Sequence, residues 1–156
     1  MLFMRNYRRT LAIGACLYFA LGLVPGVAVA CEGAAQIGLQ AEGGGGSKEI
    51  NFKSEALNTV RNYEISNVGT APMEITGPKL AEEGGVAEGT NFKIVTAIGK
   101  TEDLCGAAGY PEIININDKC YLGIKLLAKK KTATFEIKWG AREAANKTET
   151  GPIKSE

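Results

Sequence analysis

Two runs of strict alternation constrain the fold more than anything else in the chain. Cys120, Leu122, Ile124 and Leu126 fall on one face of an extended segment, opposite Tyr121, Gly123 and Lys125. Ala133, Phe135, Ile137 and Trp139 repeat the pattern opposite Thr134, Glu136 and Lys138, with Lys129, Lys130 and Lys131 at the bend between the runs. Side chains alternate across a strand, so each run is a strand with one face in a core and the other in water. One-sided strands of this kind belong to antiparallel sheets that pack a second layer against their apolar face. Shorter runs precede them at Ile50 to Phe52, Tyr63 to Ser66, Met73 to Thr76, Phe92 to Val95 and Ile113 to Ile116. Turn-forming residues separate these runs, at 67–72 and in the polar loop 82–91, and no long helical periodicity competes. The chain is predicted to be all-β, an antiparallel β-sandwich. Cys120 has the phase that a disulfide inside that core requires.

The chain has 156 residues, which suits one domain with extensions. Arg5, Arg8 and Arg9 form a basic head, residues 10–30 carry no charge, Pro25 and Gly26 break the apolar run, and Ala28-Val29-Ala30 ends it on small residues. These are the parts of a secretory signal peptide, read here as residues 1–30. Three continuations stay open. A general signal peptidase accepts the Ala-Val-Ala ending. The same residues before Cys31 resemble a bacterial lipobox, with Ala28 where leucine is usual, and would make Cys31 the lipidated N-terminus. The third is a retained membrane helix, which the run is long enough to form but which Pro25 and several glycines oppose. Removing the three arginines takes the net charge from +1 to −2. Residues 31–47, ending in Gly43-Gly44-Gly45-Gly46-Ser47, read as a flexible tether. Ile37, Leu39 and Ala41 alternate within it, a period-2 pattern that fits a short strand of this domain or one donated to a neighbour. Residues 48–140 form the predicted sandwich and 141–156 a loose polar tail.

Four cysteines are present. Cys16 leaves with the signal. If Cys31 carries lipid, Cys105 and Cys120 remain as one pair, which export to an oxidising compartment would close; two free buried thiols are the alternative. Two cysteines in a chain without a single histidine leave a zinc site half empty.

The absence of histidine also removes the commonest general base and nucleophile activator. The acidic residues Glu82, Glu83, Glu88, Glu102 and Asp103 lie in apparent loops and read as solvated charges rather than a catalytic pair. They lack the alternating Asp/Asn run of a calcium loop. Balanced charge gives no basic footprint for nucleic acid. The three consecutive lysines read as a soluble turn, Trp139 as a core or core-edge residue, and the sequon at Asn146 carries little weight. No catalysis and no cofactor are expected.

The stretch Asn67-Val68-Gly69-Thr70-Ala71-Pro72-Met73-Glu74-Ile75 resembles the N-x-G-x-x-P-L-x-I signature of ASH-type domains. These are the Ig-like modules of bacterial choice-of-anchor D proteins, relatives of the pilus-chaperone sandwich. Asn91-Phe92-Lys93-Ile94 resembles their D-F-x-I strand, and residues 133–137 their closing strand. Asp103-Leu104-Cys105 with Cys120-Tyr121-Leu122 resembles their paired cysteines around a short loop. Leu126-Leu127-Ala128 departs from their F-x-P. The resemblance implies an Ig-like sandwich over 48–139 used for binding or spacing. The expected function is a non-catalytic exported module, periplasmic or at the cell surface. It would be held to the membrane by lipid at Cys31 and bind a protein or an envelope polymer. The alternative is a homo-oligomeric structural subunit that donates residues 36–41 as a strand to the next copy.

Overall fold

The computed structural model describes residues 33–142 and 144–156. The signal peptide, Cys16 and the lipidation candidate Cys31 lie outside the described residues. The described chain forms nine strands: β1 (Ile37–Ala41), β2 (Ile50–Asn51), β3 (Val60–Asn67), β4 (Met73–Glu82), β5 (Phe92–Val95), β6 (Glu112–Ile114), β7 (Lys119–Leu126), β8 (Thr132–Ala141) and β9 (Ala144–Lys154). The only helical piece among the described residues is a single 3-10 turn, Glu83–Gly85. One sheet has the order β1-β3-β7-β5 and the other β2-β9-β8-β4-β6. All strand pairs are antiparallel except β2 with β9, which run parallel over two residues. The all-β sandwich predicted from alternation is what the chain forms.

The inner faces are the predicted ones. Cys120, Leu122, Ile124 and Leu126 of β7 and Ala133, Phe135 and Ile137 of β8 are buried. Tyr63 of β3 stacks on Phe135 of β8 across the sheets, with ring centroids 4.8 Å apart. Phe52 and Phe92 close the far end at 6.0 Å. Burying each of these rings removes roughly 150 Å² or more from water, which makes them the largest single contributors to the core.

The Asn67 turn shows why its residues are needed. Asn67 is buried, and its side-chain amide donates to the carbonyls of Ala71 (2.8 Å) and Ile114 (3.0 Å), while its oxygen accepts the Gly69 N–H (3.0 Å). One side chain therefore fixes the turn and ties it to β6. A Cβ on Gly69 would lie 2.3 Å from the Ala34 carbonyl oxygen and 2.5 Å from the Gln36 nitrogen. The segment leading into β1 passes that close because Val68 and Thr70 donate their N–H groups to Gln36 and Ala34.

Two boundaries differ from the sequence reading. The fold begins at Gly33, so residues 33–41 of the expected tether are part of the sandwich: β1 pairs with β3 from Ile37↔Asn67 to Ala41↔Tyr63. Only the glycine turn after it matches a flexible composition. Residues 141–156, expected as a loose tail, contain the whole of β9, which pairs with β8 from Thr132↔Lys154 to Ala141↔Ala144. The pairing is made by backbone groups, which polar side chains supply as well as apolar ones. Ile153 reaches the core, and Gly151 leaves room for the Tyr63 hydroxyl.

Candidate functional site

The connection between β5 and β7 carries the most elaborate surface of the described chain. After Val95 the chain leaves the sheet edge and crosses the outer face of β7 and β3. Gly123 makes the crossing feasible, because a Cβ there would sit 2.7 Å from the Thr96 carbonyl oxygen. The Asn62 amide then mimics a strand: it donates to the Ile98 carbonyl (2.9 Å) and accepts the Ile98 N–H (3.0 Å). Beyond it, the Lys100 ammonium pairs with Glu42 and lies 4.1 Å above the Tyr121 ring. The Lys100 ammonium and the Asn62 amide hold the Glu42 carboxyl below its usual value, and Glu42 in turn raises Lys100. On the same face Lys119 pairs with Glu64 (2.9 Å), and the Tyr121 hydroxyl donates to the same carboxylate (3.0 Å). The Tyr121 hydroxyl and Glu64 raise Lys119.

The chain returns to the edge at Leu104, where Cys105 donates to the Tyr121 carbonyl (2.9 Å) and Tyr121 donates to that of Asp103 (2.7 Å). Cys105 and Cys120 are disulfide-bonded, with Cα atoms 5.0 Å apart. Within the closed loop, the Gly106 N–H donates to the Glu112 carboxylate (2.6 Å). The Tyr110 ring rests on Gly106, where a Cβ would come within 2.6 Å of it. Burial, with Glu112 nearby, pushes the Tyr110 hydroxyl up to about 12. The Tyr110–Pro111 peptide is cis. Tyr110, Ile113 and Ile116 project outward at 37%, 42% and 40% exposure.

Two clefts flank this loop. One, of about 490 Å³, is mainly apolar and lies between Ile94, Leu104, Tyr110, Tyr121 and Leu122. The other, of about 410 Å³, is polar, with Asp103, Glu112, Asn117, Asp118 and Lys119 on its wall. No group of three His, Cys, Asp or Glu residues among the described residues could hold a metal ion.

The acidic residues singled out from sequence do not converge on one cleft. Glu82 departs from its expected solvated state: it is buried, and its carboxylate accepts the N–H groups of Gly89 (3.0 Å), Asn91 (2.8 Å) and Phe92 (3.3 Å). Three converging donors replace water and make burial of the carboxylate affordable. Glu88 accepts from the Leu80 N–H, and Glu83 from the Thr132 hydroxyl. Glu102 and Asp103 are exposed. Lys129, Lys130 and Lys131 are exposed at the bend from β7 to β8. Trp139 is half-buried against the core, with the Lys147 ammonium 4.8 Å from its ring centre. Ile37, Leu39 and Ala41 face the core of their own chain. Sequence reasoning missed Asn62, Lys100, Tyr110 and Glu112. The signals available were Gly123 in mid-strand and the Gly106–Gly109 pair, since glycine inside a strand marks close backbone approach.

No family model matches this chain, and no curated protein matches it. Among solved structures it is similar to an ASH/PapD-like domain of human CEP192 (PapD-like domain 7). The TM-score is 0.45 with 11% sequence identity, covering 91% of this chain and 98% of that one.

Proposed function

We propose that this chain is a non-catalytic, exported Ig-like module of the bacterial cell envelope, of the ASH or choice-of-anchor D type. It is anchored by lipid at Cys31 and binds a protein or an envelope polymer. The observation that carries the reading is the Cys105–Cys120 disulfide. Such a bond persists in oxidising compartments, which agrees with the export signal read at residues 1–30. It also closes a loop that exposes Tyr110, Ile113 and Ile116, with Tyr110 on the wall of the apolar cleft, a composition suited to contact with a partner. A chain without histidine, whose buried carboxylate Glu82 is spent on backbone donors, supports binding over catalysis. Self-assembly by strand donation would require β1 to leave β3, so the closed β1–β3 pairing favours the module.

The test is intact mass, non-reduced and reduced, on protein made in a bacterium with its own leader. Acyl chains on a chain beginning at Cys31, with a gain of two protons on reduction, are expected. An unmodified Cys31 N-terminus overturns the anchored reading.

A further inference from the structure

The outer face of the β1-β3-β7-β5 sheet is divided by charge. At one end its ammonium groups are neutralised on the spot, Lys100 by Glu42 and Lys119 by Glu64. At the other end two lysines stand directly opposite one another, Lys93 on β5 and Lys125 on β7. Both lie on the outer face, because the pairs on either side of them, Phe92↔Leu126 and Ile94↔Ile124, pack into the core. No ion pair among the described residues includes either lysine. The carboxylates of the adjoining connections are engaged elsewhere: Glu55 with Arg61, Glu83 with the Thr132 hydroxyl and Glu88 with the Leu80 N–H. Asp103, with Glu102 before it, sits beside Tyr121, roughly 13 Å along β7 from Lys125. Like charges directly opposite on a sheet repel, so an anion arriving between these two relieves a repulsion as well as making a contact.

Beside the lysine pair runs an open groove of about 530 Å³, with the half-buried Lys125 on its wall. The next row along the strands is Asn62–Gly123–Val95, and Gly123 has no side chain to fill it. Val60 and Val95 close over that gap, where a Cβ on Gly123 would meet each of them at 3.0 Å. Ile98, on the crossing segment, completes the apolar lining. It is 62% exposed, more than any other large hydrophobic residue described.

We propose that this surface takes a protein partner that presents carboxylates beside aliphatic side chains. The carboxylates sit between Lys93 and Lys125, and an aliphatic side chain lies against Val60, Val95 and Ile98. This inference rests on the binding module proposed above and requires neither the anchor nor the leader. Charge complementarity selects the carboxylate, because two adjacent ammonium groups without an acidic partner leave a positive field that an anion cancels. The aliphatic lining selects a polypeptide. A hydroxyl-covered sugar chain would lose hydration against valine and isoleucine without gaining hydrogen bonds, whereas an aliphatic side chain is driven there by the hydrophobic effect.

The experiment titrates the full chain, made with its own leader, into a fluorescein-labelled peptide in which glutamates are interleaved with valine and leucine. Anisotropy reads binding, and hydrogen exchange by mass spectrometry reads where the peptide sits. Saturable binding that weakens as salt is raised is expected, with amide protection centred on residues 93–99. The double variant Lys93→Gln, Lys125→Gln should bind about tenfold more weakly, and Lys130→Gln, in the exposed bend, as the parent does. Lys93→Glu separates recognition from folding. It should raise the thermal midpoint, since opposite charges replace like ones across the strands, while abolishing binding. A fall in that midpoint makes the pair structural and overturns the proposal. No binding to the parent, undiminished binding to the double variant, or protection confined to residues 106–116 also overturns it. Binding of polygalacturonate in place of the peptide assigns the face to an anionic polymer. A dimer in sedimentation that the double variant abolishes assigns it to a second copy. Either result overturns the proposal, while intact mass on the same preparation decides the anchored reading separately.

Discussion

Strands β1 and β9 reverse what their sequences advertise. IGLQA alternates cleanly and carries no charge, yet it contributes only five residues at the edge of one sheet. AANKTETGPIK reads as polar chain, yet it is the longest strand, pairing with β8 along its length and carrying β2 at its end. The difference lies in what each strand needs from its side chains. β1 is held to the core by Ile37, Leu39 and Ala41, all buried. β9 is held by its backbone ladder, with Ile153 and the space at Gly151 as its main side-chain commitments. Among the described residues only β2 lies along its outer edge, over two residues, and Lys147, Glu149 and Pro152 are the residue types that keep an open edge from pairing with another chain. Polarity in a terminal segment marks a protected edge here rather than disorder.

Removing β9 should have the largest effect. The chain truncated after Arg142 loses Ile153, the partner of β2 and the backbone ladder along β8, and is expected to show no cooperative thermal transition by circular dichroism. A cooperative melt near that of the full chain would return residues 144–156 to the status of a tail. Gly69→Ala probes β1 without touching it. The added methyl must displace the Ala34 and Gln36 backbone, and destabilisation of about 2–4 kcal/mol is expected in urea titrations. Faster amide exchange at Val68 and Thr70 should accompany it, because those N–H groups lose their acceptors first. Unchanged exchange there would show that β1 can shift at little cost.

Opening the Cys105–Cys120 bond, which closes a separation of 15 residues, should cost about 3 kcal/mol by release of loop-closure entropy in the unfolded chain. The urea midpoint should fall while the transition stays cooperative, since the sheets on either side keep their cores. Loss of cooperativity would make the disulfide a condition of folding. The smallest effect concerns the Glu42 clamp. Its folded-state pKa lies below the ordinary 4.5, so its contribution is complete above that pH and is lost as pH falls through the lower folded value. Protection of the Ile98 amide, corrected for intrinsic rate, should therefore drop in acid in the native chain and stay flat in Glu42→Gln. Parallel behaviour of the two proteins would remove Glu42 from the clamp.

Particular residues show how far the sequence could be read. Cys120 carried the right phase for a core disulfide, and its partner was found by arithmetic and resemblance. Phe92 to Val95 matched β5 residue for residue, because a short strand bounded by turn residues has little freedom of register. Asn67 and Gly69 were visible as a turn. Nothing local announced that the Asn67 amide reaches Ile114, or that the missing Gly69 Cβ makes room for Ala34. Glu82 looked like any loop carboxylate, because its three backbone donors come from residues that have no signature of their own.

Side-chain periodicity by itself determined the class of fold, the inner faces of β7 and β8 and the core placement of Cys120. Apolar side chains must share a face to leave water together, and that demand is written in residue order. The tertiary structure alone decided where β1 and β9 pair and how residues 96–100 cross the outer face of a sheet. Each of these depends on backbone hydrogen bonds or on contacts between segments distant in sequence. Any residue supplies such bonds, so no pattern of residue types records them.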